Sequence, residues 1–582
     1  MTAPIKKTPV RPKAKKTTKK SAVGFEEALW DAANKLRGSV ESAEYKHIVL
    51  SLIFLKFISD KFEVRKNAIV AEYGNEYVDM VDFYTMENVF YLPTEARWSF
   101  IQINAKQDDI AVKIDSALHA VEKNNKALAG ALPDNYFSRL GLDSSKLSAL
   151  IDTINNIETI SKESAHSRSE SAHSEKESTH SENEGDDSGN VIKSEEDIVG
   201  RVYEYFLGKF AASEGKGGGE FYTPKSIVSL IADMIEPFSG KIYDPCCGSG
   251  GMFVQSLKFI NSHNGNQKNI SIYGQEYTNT TYKLAKMNLA VRGISANLGD
   301  VAGDSFFKDQ HPDLKADYIM ANPPFNQKQW RAENELVDDA RWAGYPTPPT
   351  GNANYAWIMH MISKLSEHGT AGFVLANGSM SSNTSGEGTI RQKIIENDLV
   401  DCMIALPGQL FYTTQIPVCL WFISKDKKGN NEQGMSKRRD RQGETLFIDA
   451  REMGTMVNRT LKELTNEDIA KITATYHIWR GEELEAGKLE SEKDKLEGDK
   501  LESATYQDIA GYCKSATLDD MKANDYVLTP GRYVGAAEIE DDGIPFETKM
   551  TELSQTLYKQ MSQATELDKA IRDNLEALGY GE

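Results

Sequence analysis

Residues 241–251 read Lys-Ile-Tyr-Asp-Pro-Cys-Cys-Gly-Ser-Gly-Gly, a short strand pattern that runs into a glycine-rich turn. A helix pattern starts close behind, near Met252. Glycines at such a junction permit a tight turn and a close approach of the backbone to a ligand at the N-terminus of the helix. The turn alone is weak evidence for a ligand, because residues 248–251 lack the full G-x-G-x-x-G spacing of a dinucleotide fingerprint.

The alternation of strand and helix continues from about Glu196 to Lys425. Strands are predicted over Lys241–Tyr243, Ile270–Gly274, Tyr318–Ala321, Ala371–Ala376, Leu399–Ala405 and Val418–Ser424. Helices are predicted over Ser226–Ile235, Thr278–Arg292, Ala353–Ser366 and Gly388–Asn397. This pattern predicts an α/β domain with a doubly wound, Rossmann-like sheet, in which ligands bind at the carboxyl ends of the strands.

Polar residues stand at further strand junctions of this predicted sheet. Glu276 follows the second strand, where a carboxylate can accept hydrogen bonds from ribose hydroxyls. Asp304 precedes the third strand and can meet an adenine amine. Asn322-Pro323-Pro324-Phe325 follows the third strand. The ordered set, together with the glycine turn, is stronger evidence for a ligand pocket than any one of its members.

The tetrapeptide Asn322-Pro323-Pro324-Phe325 combines an acceptor amide, two rigid prolines and an aromatic ring. Exocyclic amines of nucleobases are poor nucleophiles, because the ring delocalises the nitrogen lone pair. The Asn322 amide oxygen and the Pro323 carbonyl can accept both N–H hydrogens, and Phe325 can stack on an extruded base. The tetrapeptide therefore predicts a pocket for a planar amine.

Residues 218–225 read Gly-Gly-Glu-Phe-Tyr-Thr-Pro-Lys, ahead of the helix near Ser226. Thr223 and Pro224 fit the N-cap and the first-turn proline of this helix, which is a sufficient structural account of both. The glycines and aromatic residues before them can also form a wall against a cofactor.

The net charge of the chain is −19 over 582 residues, a length that suffices for roughly two to four domains. A protein that grips DNA alone usually has a basic face, so the acidic balance predicts that a grip on nucleic acid is local or comes from a partner. The first twenty residues carry eight Lys/Arg and no acid. Such a segment is typical of a solvated disordered tail, although it can touch phosphate.

Cysteine and hydropathy patterns predict a cytoplasmic location. The five cysteines form no CxxC pair, and the histidines show no zinc-ligand spacing with them, so no metal site is predicted. Sparse cysteines favour a reducing compartment over a disulfide framework. No apolar run approaches the ~20 residues that span a bilayer. The longest, Ile48 to Ile58, predicts a buried helix instead.

The chain divides into six predicted segments. These are a disordered basic tail (1–23), a helical N-terminal domain (24–161), a low-complexity insertion (162–195), a catalytic domain (196–480), a C-terminal extension with a polar insertion (481–550) and a C-terminal amphipathic helix (551–582). His166, His173 and His180 in the low-complexity segment could bind metal, but a tolerated loop insertion is favoured. The apolar stripe of the last helix predicts packing on the protein's own body or on a partner.

Together these motifs resemble the amino-methyltransferases of DNA, and most of all the modification (M) subunit of type I restriction-modification systems. The matching stretches are Glu44–Leu50, Gly219–Pro224, Asp244–Phe253, Gln310–Tyr318, Asn322–Phe325, Asn352–Trp357, Leu406–Phe411 and Leu528–Tyr533. The resemblance covers most of the chain from Gly24 to about Gly535.

The resemblance implies S-adenosylmethionine as methyl donor and the N6 amine of adenine in DNA as acceptor. The residues that it implies for cofactor binding are Glu220, Phe221, Tyr222, Thr223, Pro224, Lys225, Asp244, Gly248, Ser249, Gly250 and Gly251, with Glu276 on the ribose and Asp304 near the adenine. The implied catalytic residues are Asn322, Pro323, Pro324 and Phe325. It also implies assembly with a specificity (S) subunit that recognises the DNA site, and with a second M subunit; a restriction (R) subunit can join them.

Other functions stay open at this level. RNA bases, cytosine N4 and protein glutamine also present a planar amine, so the tetrapeptide does not exclude them. A non-catalytic cofactor-binding scaffold would be indicated by a damaged tetrapeptide or glycine turn, and both are intact. A motor or nuclease subunit is disfavoured, since the sequence contains no G-x-x-x-x-G-K-[ST] phosphate loop.

Overall fold

The protein is represented by a computed structural model that describes residues 30, 34, 42–87, 89–156, 205, 223–262, 266–411, 416–429, 438–482, 505–536 and 546–577. The predicted basic tail, the low-complexity insertion with its three histidines and the polar insertion after residue 482 lie outside these described residues. The described part comprises a helical N-terminal region, a nine-stranded α/β sheet and a C-terminal helix, which confirms the predicted fold class.

The described residues of the N-terminal region include six α-helices with defined bounds. They are α1 (Ser42–Glu72), α2 (Asp82–Thr85), α3 (Trp98–Asn104), α4 (Ile110–Asn124), α5 (Tyr136–Arg139) and α6 (Ser144–Asn155). Residues 48–58 of α1 are buried on all sides, as an apolar run without a polar face requires, and this confirms the predicted buried helix. Asp143 caps α6 by accepting the Ser145 and Lys146 N–H groups, which are among the donors that a helix start leaves unpaired.

The α/β domain is built on one mixed sheet. Its strands are β1 (Gly240–Asp244), β2 (Ile270–Gly274), β3 (Ala296–Asn297), β4 (Ala316–Ala321), β5 (Leu365–Ala376), β6 (Val400–Ala405), β7 (Val418–Ser424), β8 (Glu444–Asp449) and β11 (Cys513–Thr517), in the spatial order β11-β8-β6-β7-β5-β4-β1-β2-β3. The short strands β9 (Thr455–Met456) and β10 (Lys462–Glu463) pair separately. Each predicted strand overlaps one of these strands and ends within one residue of it.

The sheet departs from an all-parallel Rossmann arrangement at β7. This strand inserts antiparallel between β5 and β6, and it is buried along its whole length. No helix separates β6 from β7 in the described residues, so the chain turns back beside its own strand instead of crossing over the sheet. β11 also runs antiparallel, on β8. Because β11 lies beyond residue 480, the sheet includes a strand from the segment predicted as a C-terminal extension.

Helices cover both faces of the sheet. They are α7 (Lys225–Ile235), α8 (Gly251–Ser262), α9 (Asn279–Val291) and α12 (Asn466–Arg480) on one face, and α10 (Asn354–Lys364) and α11 (Glu387–Glu396) on the other. The α9 helix also joins the two regions of the protein. Its Ala285 and Leu289 pack in the sheet core, whereas Leu284 and Met287 belong to the core of the helical region.

The C-terminal extension packs on the outer strands. After β11 come α13 (Leu518–Ala523) and a tight turn at Pro530–Arg532. The ring of Tyr533 then stacks on Phe447 of β8 with centroids 3.8 Å apart. The stretch Leu528–Tyr533, which the sequence singled out, therefore holds the extension against the sheet.

The last helix, α14 (Phe546–Ala577), stands apart from this body. Its apolar stripe includes six large side chains that are 43–62% exposed, namely Leu553, Leu557, Met561, Leu567, Ile571 and Leu575. The predicted amphipathic helix is thus present, and these six side chains remain open to solvent. In the described part of the chain, no helix combines the length and the apolar content needed to cross a membrane.

Candidate active site

The site lies where the strand order of the sheet reverses. From β1 the chain builds outward through β2 and β3, and it then returns to place β4 and β5 on the other side of β1. Ligands of open α/β sheets bind at such a switch point, outside the carboxyl ends of the strands. The glycine turn follows β1 and the tetrapeptide Asn322–Phe325 follows β4, so the fold brings both motifs to this crevice.

The glycine turn adopts backbone angles that favour glycine. Gly248 and Gly250 have φ of 54° and 79°, and a Cβ on Gly250 would come within 3.3 Å of the Leu289 side chain. Gly251 begins α8, and a Cβ there would meet nothing within 4 Å. The turn thus leaves open space at the N-terminus of a helix, where backbone N–H groups point outward.

Two buried carboxylates support this turn. Glu276 accepts the Gly248 N–H at 3.1 Å and the Thr278 N–H at 2.8 Å, and burial raises its pKa. Asp244 accepts the Cys246 N–H at 3.0 Å, and burial raises its pKa to about 7, with a smaller contribution from the charge of Glu276. Neither carboxylate forms an ion pair with another described residue. The floor of the crevice thus holds two carboxyl groups whose charged forms burial disfavours and a cationic ligand would favour.

Asp304 lies on a loop that is tied to both neighbouring strand ends. Its carboxylate accepts the Phe306 N–H at 2.8 Å, and the adjacent Gly303 N–H donates to the Glu276 carbonyl at 2.9 Å. Ser305 Oγ donates to the Pro245 carbonyl at 2.5 Å. The loop therefore places Asp304 beside the ends of β1 and β2, together with the glycine turn.

The side chain of Asn322 has one paired and one unpaired end. Its Nδ2 donates to Thr223 Oγ1 at 3.0 Å. Its Oδ1 is buried and has no hydrogen-bond partner among the described residues. A buried acceptor without a partner is costly, because it has lost its water and gained nothing in return. An amine donor that enters the crevice would satisfy it.

The segment after Asn322 forms an aromatic wall. Pro323 is buried, and Pro324 and Phe325 are half-buried. The Phe325 ring meets the buried Phe411 ring edge to face, with centroids 5.7 Å apart. A half-buried ring beside an unpaired amide oxygen suits a flat, amine-bearing ligand.

A cluster of amides holds the backbone that follows the tetrapeptide. Asn326 adopts φ of 53°, and its N–H donates to Asn354 Oδ1 at 3.0 Å. Asn354 Nδ2 donates in return to Asn326 Oδ1, also at 3.0 Å. The Asn352 side chain accepts the Asn354 N–H at 2.9 Å at the start of α10. These reciprocal bonds fix where the chain leaves the pocket.

The upstream cofactor motif is only partly described. Glu220, Phe221 and Tyr222 lie outside the described residues. Thr223 and Pro224 lie directly before α7, which begins at the exposed Lys225. Pro224, and not Thr223, occupies the N-cap position, and it makes no side-chain capping bond. The N-cap expected at Thr223 and the first-turn proline expected at Pro224 are therefore wrong by one residue, because the helix begins at Lys225.

Comparisons with known proteins agree with this geometry. The N-6 DNA Methylase family model matches residues 194–542, and the HsdM N-terminal domain model matches residues 25–154. The HindI methylase subunit, a type I restriction enzyme subunit of Haemophilus influenzae, is 46% identical over 505 residues, which cover 84% of this chain and 100% of that relative. The chain belongs to the type I restriction enzyme methylase subunits. The methylase subunit is accordingly an adenine-specific DNA methyltransferase.

A second relative supports the assignment, and a solved structure has a similar fold. The MjaIX methylase subunit of Methanocaldococcus jannaschii is 38% identical to this methylase subunit over 576 residues, covering 96% of this chain and 92% of the relative. The crystal structure of a type I restriction-modification methyltransferase subunit from Streptococcus thermophilus has a TM-score of 0.63 at 20% identity, covering 89% of this chain and 100% of that chain. The latter shows a shared fold.

Several residues of the methylase subunit's site carry no sequence signal that identifies them. Tyr277 directly follows Glu276 and is 72% exposed beside the crevice. Asn377, at the end of β5, and Ser226, in the first turn of α7, each have a buried side-chain oxygen without a partner among the described residues. Arg341 donates to the Ser305 carbonyl at 2.9 Å and so braces the Asp304 loop. These residues belong to four separate segments of the sequence, so no single motif contains them.

One cluster of possible metal ligands lies away from the crevice. The cluster consists of Glu236, His477 and Glu482. Nδ1 of His477 forms a hydrogen bond with the Glu482 carboxylate, and Nε2 lies 2.9 Å from the Asp233 carbonyl oxygen. The Asp233 carbonyl can only accept, so Nε2 donates to it and offers no lone pair to a metal. Arg438 and Arg480 already neutralise the Glu482 carboxylate. The methylase subunit uses this cluster to join α12 to the end of α7.

Proposed function

We propose that the methylase subunit transfers a methyl group from S-adenosylmethionine to the N6 amine of adenine, in DNA sites that a separate specificity subunit selects. The observation that carries this proposal is the buried, unpaired Asn322 Oδ1 at the β1–β4 crevice. It is an acceptor in a position that the rest of the described chain leaves unsatisfied, next to an aromatic ring. Adenine N6 offers the matching donor.

The residues around the glycine turn fit S-adenosylmethionine. When bound, this cofactor supplies an electrophilic methyl group on a positively charged sulfur. Asp244 and Glu276 are buried carboxyl groups without a compensating cation in the described residues, and a nearby positive charge would favour their ionised forms. Gly248, Ser249, Gly250 and Gly251 would offer backbone contacts beside the open space at the start of α8, while Glu276 would hold the ribose and Asp304 would lie near the adenine. Thr223, Pro224 and Lys225 would lie on the other side, and Glu220, Phe221 and Tyr222 are proposed as further cofactor contacts.

The tetrapeptide would prepare the acceptor amine. Asn322 Oδ1 and the Pro323 carbonyl would accept the two hydrogens of N6, which orients the nitrogen and draws its lone pair out of conjugation. Phe325 would stack on the base after it leaves the duplex. Positioning of the two reactants supplies most of the rate in such a transfer. The methylated amine is acidic, so its extra proton can leave after the transfer.

Recognition of the DNA sequence would come from partners. The chain carries a net charge of −19, and binding to phosphate depends on Lys and Arg, so this subunit alone is poorly suited to grip a duplex. The exposed apolar stripe of α14 would supply a docking surface for the specificity subunit. The assembly would also contain a second methylase subunit, and a restriction subunit could join it.

The proposal is tested by reconstituting the chain with its specificity subunit and following methyl transfer from labelled S-adenosylmethionine. Duplex DNA should yield N6-methyladenine, whereas N4-methylcytosine, methylated RNA or methylated glutamine would each overturn it. Asn322→Ala should abolish the transfer and leave cofactor affinity nearly unchanged. Asn124→Ala, on the exposed face of α4, is the matched control and should retain activity. Parallel loss of cofactor binding in Asn322→Ala would contradict the assigned role.

A further inference from the structure

The link between Thr223 and Asn322 joins two motifs that lie 99 residues apart. Thr223 Oγ1 accepts a hydrogen bond from Asn322 Nδ2 at 3.0 Å, and both residues are only partly exposed. Sequence resemblance implied a cofactor contact for Thr223. Its hydroxyl contacts the amide that the proposed function makes catalytic.

The chemistry of a carboxamide makes this contact consequential. The oxygen and the NH2 group of an amide have nearly the same shape but opposite hydrogen-bonding roles. Only the orientation with Nδ2 on Thr223 leaves Oδ1 in the crevice, where it is buried and has no partner among the described residues. The reverse orientation would direct two N–H donors against the donor hydrogens of the substrate amine. The Thr223 hydroxyl accepts from Nδ2 in the structure, and the substrate amine, which is a donor, then selects Oδ1 at the opposite end of the same amide.

The position of Thr223 is itself well anchored. Pro224 fixes the backbone that follows, and its carbonyl accepts the Ile227 and Val228 N–H groups at 3.1 Å each. Ile227 is fully buried in the sheet core, and α7 packs against β5 and β4. The hydroxyl thus belongs to a packed helix start and not to a free loop, so it can hold the amide of a neighbouring strand end in place.

We infer that Thr223 is a positioning residue that orients the Asn322 carboxamide, and this inference rests on the proposed function of Asn322. The hydroxyl accepts one hydrogen of Nδ2 and thereby keeps Oδ1 directed at the substrate amine. It also couples the segment that precedes α7, which resembles a cofactor motif, to the end of β4, which would hold the methyl acceptor. No proton or bond of the reaction passes through Thr223.

The test compares Thr223→Val, Thr223→Ser and Thr223→Ala in the full chain bound to its specificity subunit. Valine keeps the shape and removes the acceptor, so kcat should fall on the order of 10-fold to 100-fold, while the dissociation constant of S-adenosylmethionine stays within about twofold. Serine retains the hydroxyl, so kcat of Thr223→Ser should lie within about threefold of the wild-type value. Thr223→Ala should lower kcat to the same extent as Thr223→Val, and it takes the place of Thr223→Val in the test if the valine variant has a reduced melting temperature.

Thr473→Val is the matched control, because it removes a buried hydroxyl from α12 that has no partner among the described residues. It should leave kcat unchanged. Three results would overturn the inference: wild-type kcat in Thr223→Val, loss of cofactor affinity in proportion to kcat, or failure of Thr223→Ser to recover. An inactive wild-type complex would instead overturn the proposed function, so the two failures are distinguishable.

Discussion

The rings of Phe325 and Phe411 meet edge to face, with centroids 5.7 Å apart and planes at 80°, although one follows β4 and the other follows β6. The sheet order β4-β5-β7-β6 places two other strands between them. Neighbouring strands lie ~4.8 Å apart, so the two segments reach toward each other across the ends of β5 and β7. Their contact forms a pocket wall that no single stretch of sequence contains.

Replacing Phe325 with alanine is expected to lower kcat/KM for DNA about 10-fold to 100-fold, because stacking of a base on an aromatic side chain contributes roughly 1–3 kcal/mol. Cofactor affinity should not change. Fluorescence of 2-aminopurine at the target position reports the stacking directly, and its emission should rise in the variant. Phe325→Tyr should retain activity. Tyr73→Ala, an exposed aromatic position of the helical region, serves as control. Full activity of Phe325→Ala would refute the stacking role.

The two neighbouring glycines of the turn should respond differently to alanine. Gly250→Ala forces a strained φ of 79° and a contact with Leu289, so it should destabilise the fold by more than about 1 kcal/mol. Gly251→Ala meets no protein atom within 4 Å and should leave the melting temperature unchanged. The added methyl group would nevertheless fill space proposed for the cofactor. Calorimetry should therefore show weaker S-adenosylmethionine binding in Gly251→Ala, and unaltered affinity would place the cofactor elsewhere.

The raised pKa of Asp244 predicts that removing its charge stabilises the folded protein more at high pH than at low pH. Burial raises its pKa from 3.8 to about 7. A carboxyl whose pKa is higher in the folded state stabilises the fold below its unfolded pKa, and this contribution is lost as the pH rises through the folded value. Asp244→Asn mimics the neutral form and should be more stable than the wild type at pH 8, by on the order of a few kcal/mol.

This advantage should vanish near pH 4, where the wild-type carboxyl is also protonated. Urea unfolding at the two pH values measures the difference. The matched control is Asp300→Asn, at an exposed position close to the same site, which should show no such dependence. Equal effects of Asp244→Asn at both pH values would show that the charge of Asp244 is not the cause.

We expect the C-terminal helix to be required for assembly with the specificity subunit but not for catalysis. Deleting residues 551–582 is expected to leave cofactor binding intact and to abolish co-purification with the specificity subunit. Leu557→Glu introduces a charge into the apolar stripe and should weaken assembly. The control Gln555→Glu adds the same charge two residues earlier, on the opposite face of α14, and should leave assembly unchanged. Size-exclusion chromatography separates the outcomes. A truncated chain that still co-purifies with the specificity subunit would exclude this docking surface.

Much of the α/β domain was predictable because its strands are short apolar runs that end in distinctive turns. Ala321 and Gly274 mark strand ends that agree in the sequence and in the structure. The antiparallel insertion of β7 was not predicted, since an apolar run of this length reads the same in either direction. The role of β11 in the sheet was missed for a similar reason: its residues, Cys513–Thr517, alternate weakly and follow a polar insertion.

The sequence by itself determined which chemical groups are available: a glycine turn, the acids Glu276 and Asp304, and an Asn-Pro-Pro-Phe tetrapeptide, each at a junction of a predicted strand. These signals are local, because turn geometry and strand burial depend on neighbouring residues. Only the tertiary structure decided which partner each group has. The Asn322 amide pairs with Thr223 and leaves its oxygen without a partner in the described part of the chain, and Phe325 contacts Phe411 across two intervening strands. Such pairs depend on the order in which strands assemble, which brings together segments that are distant along the chain.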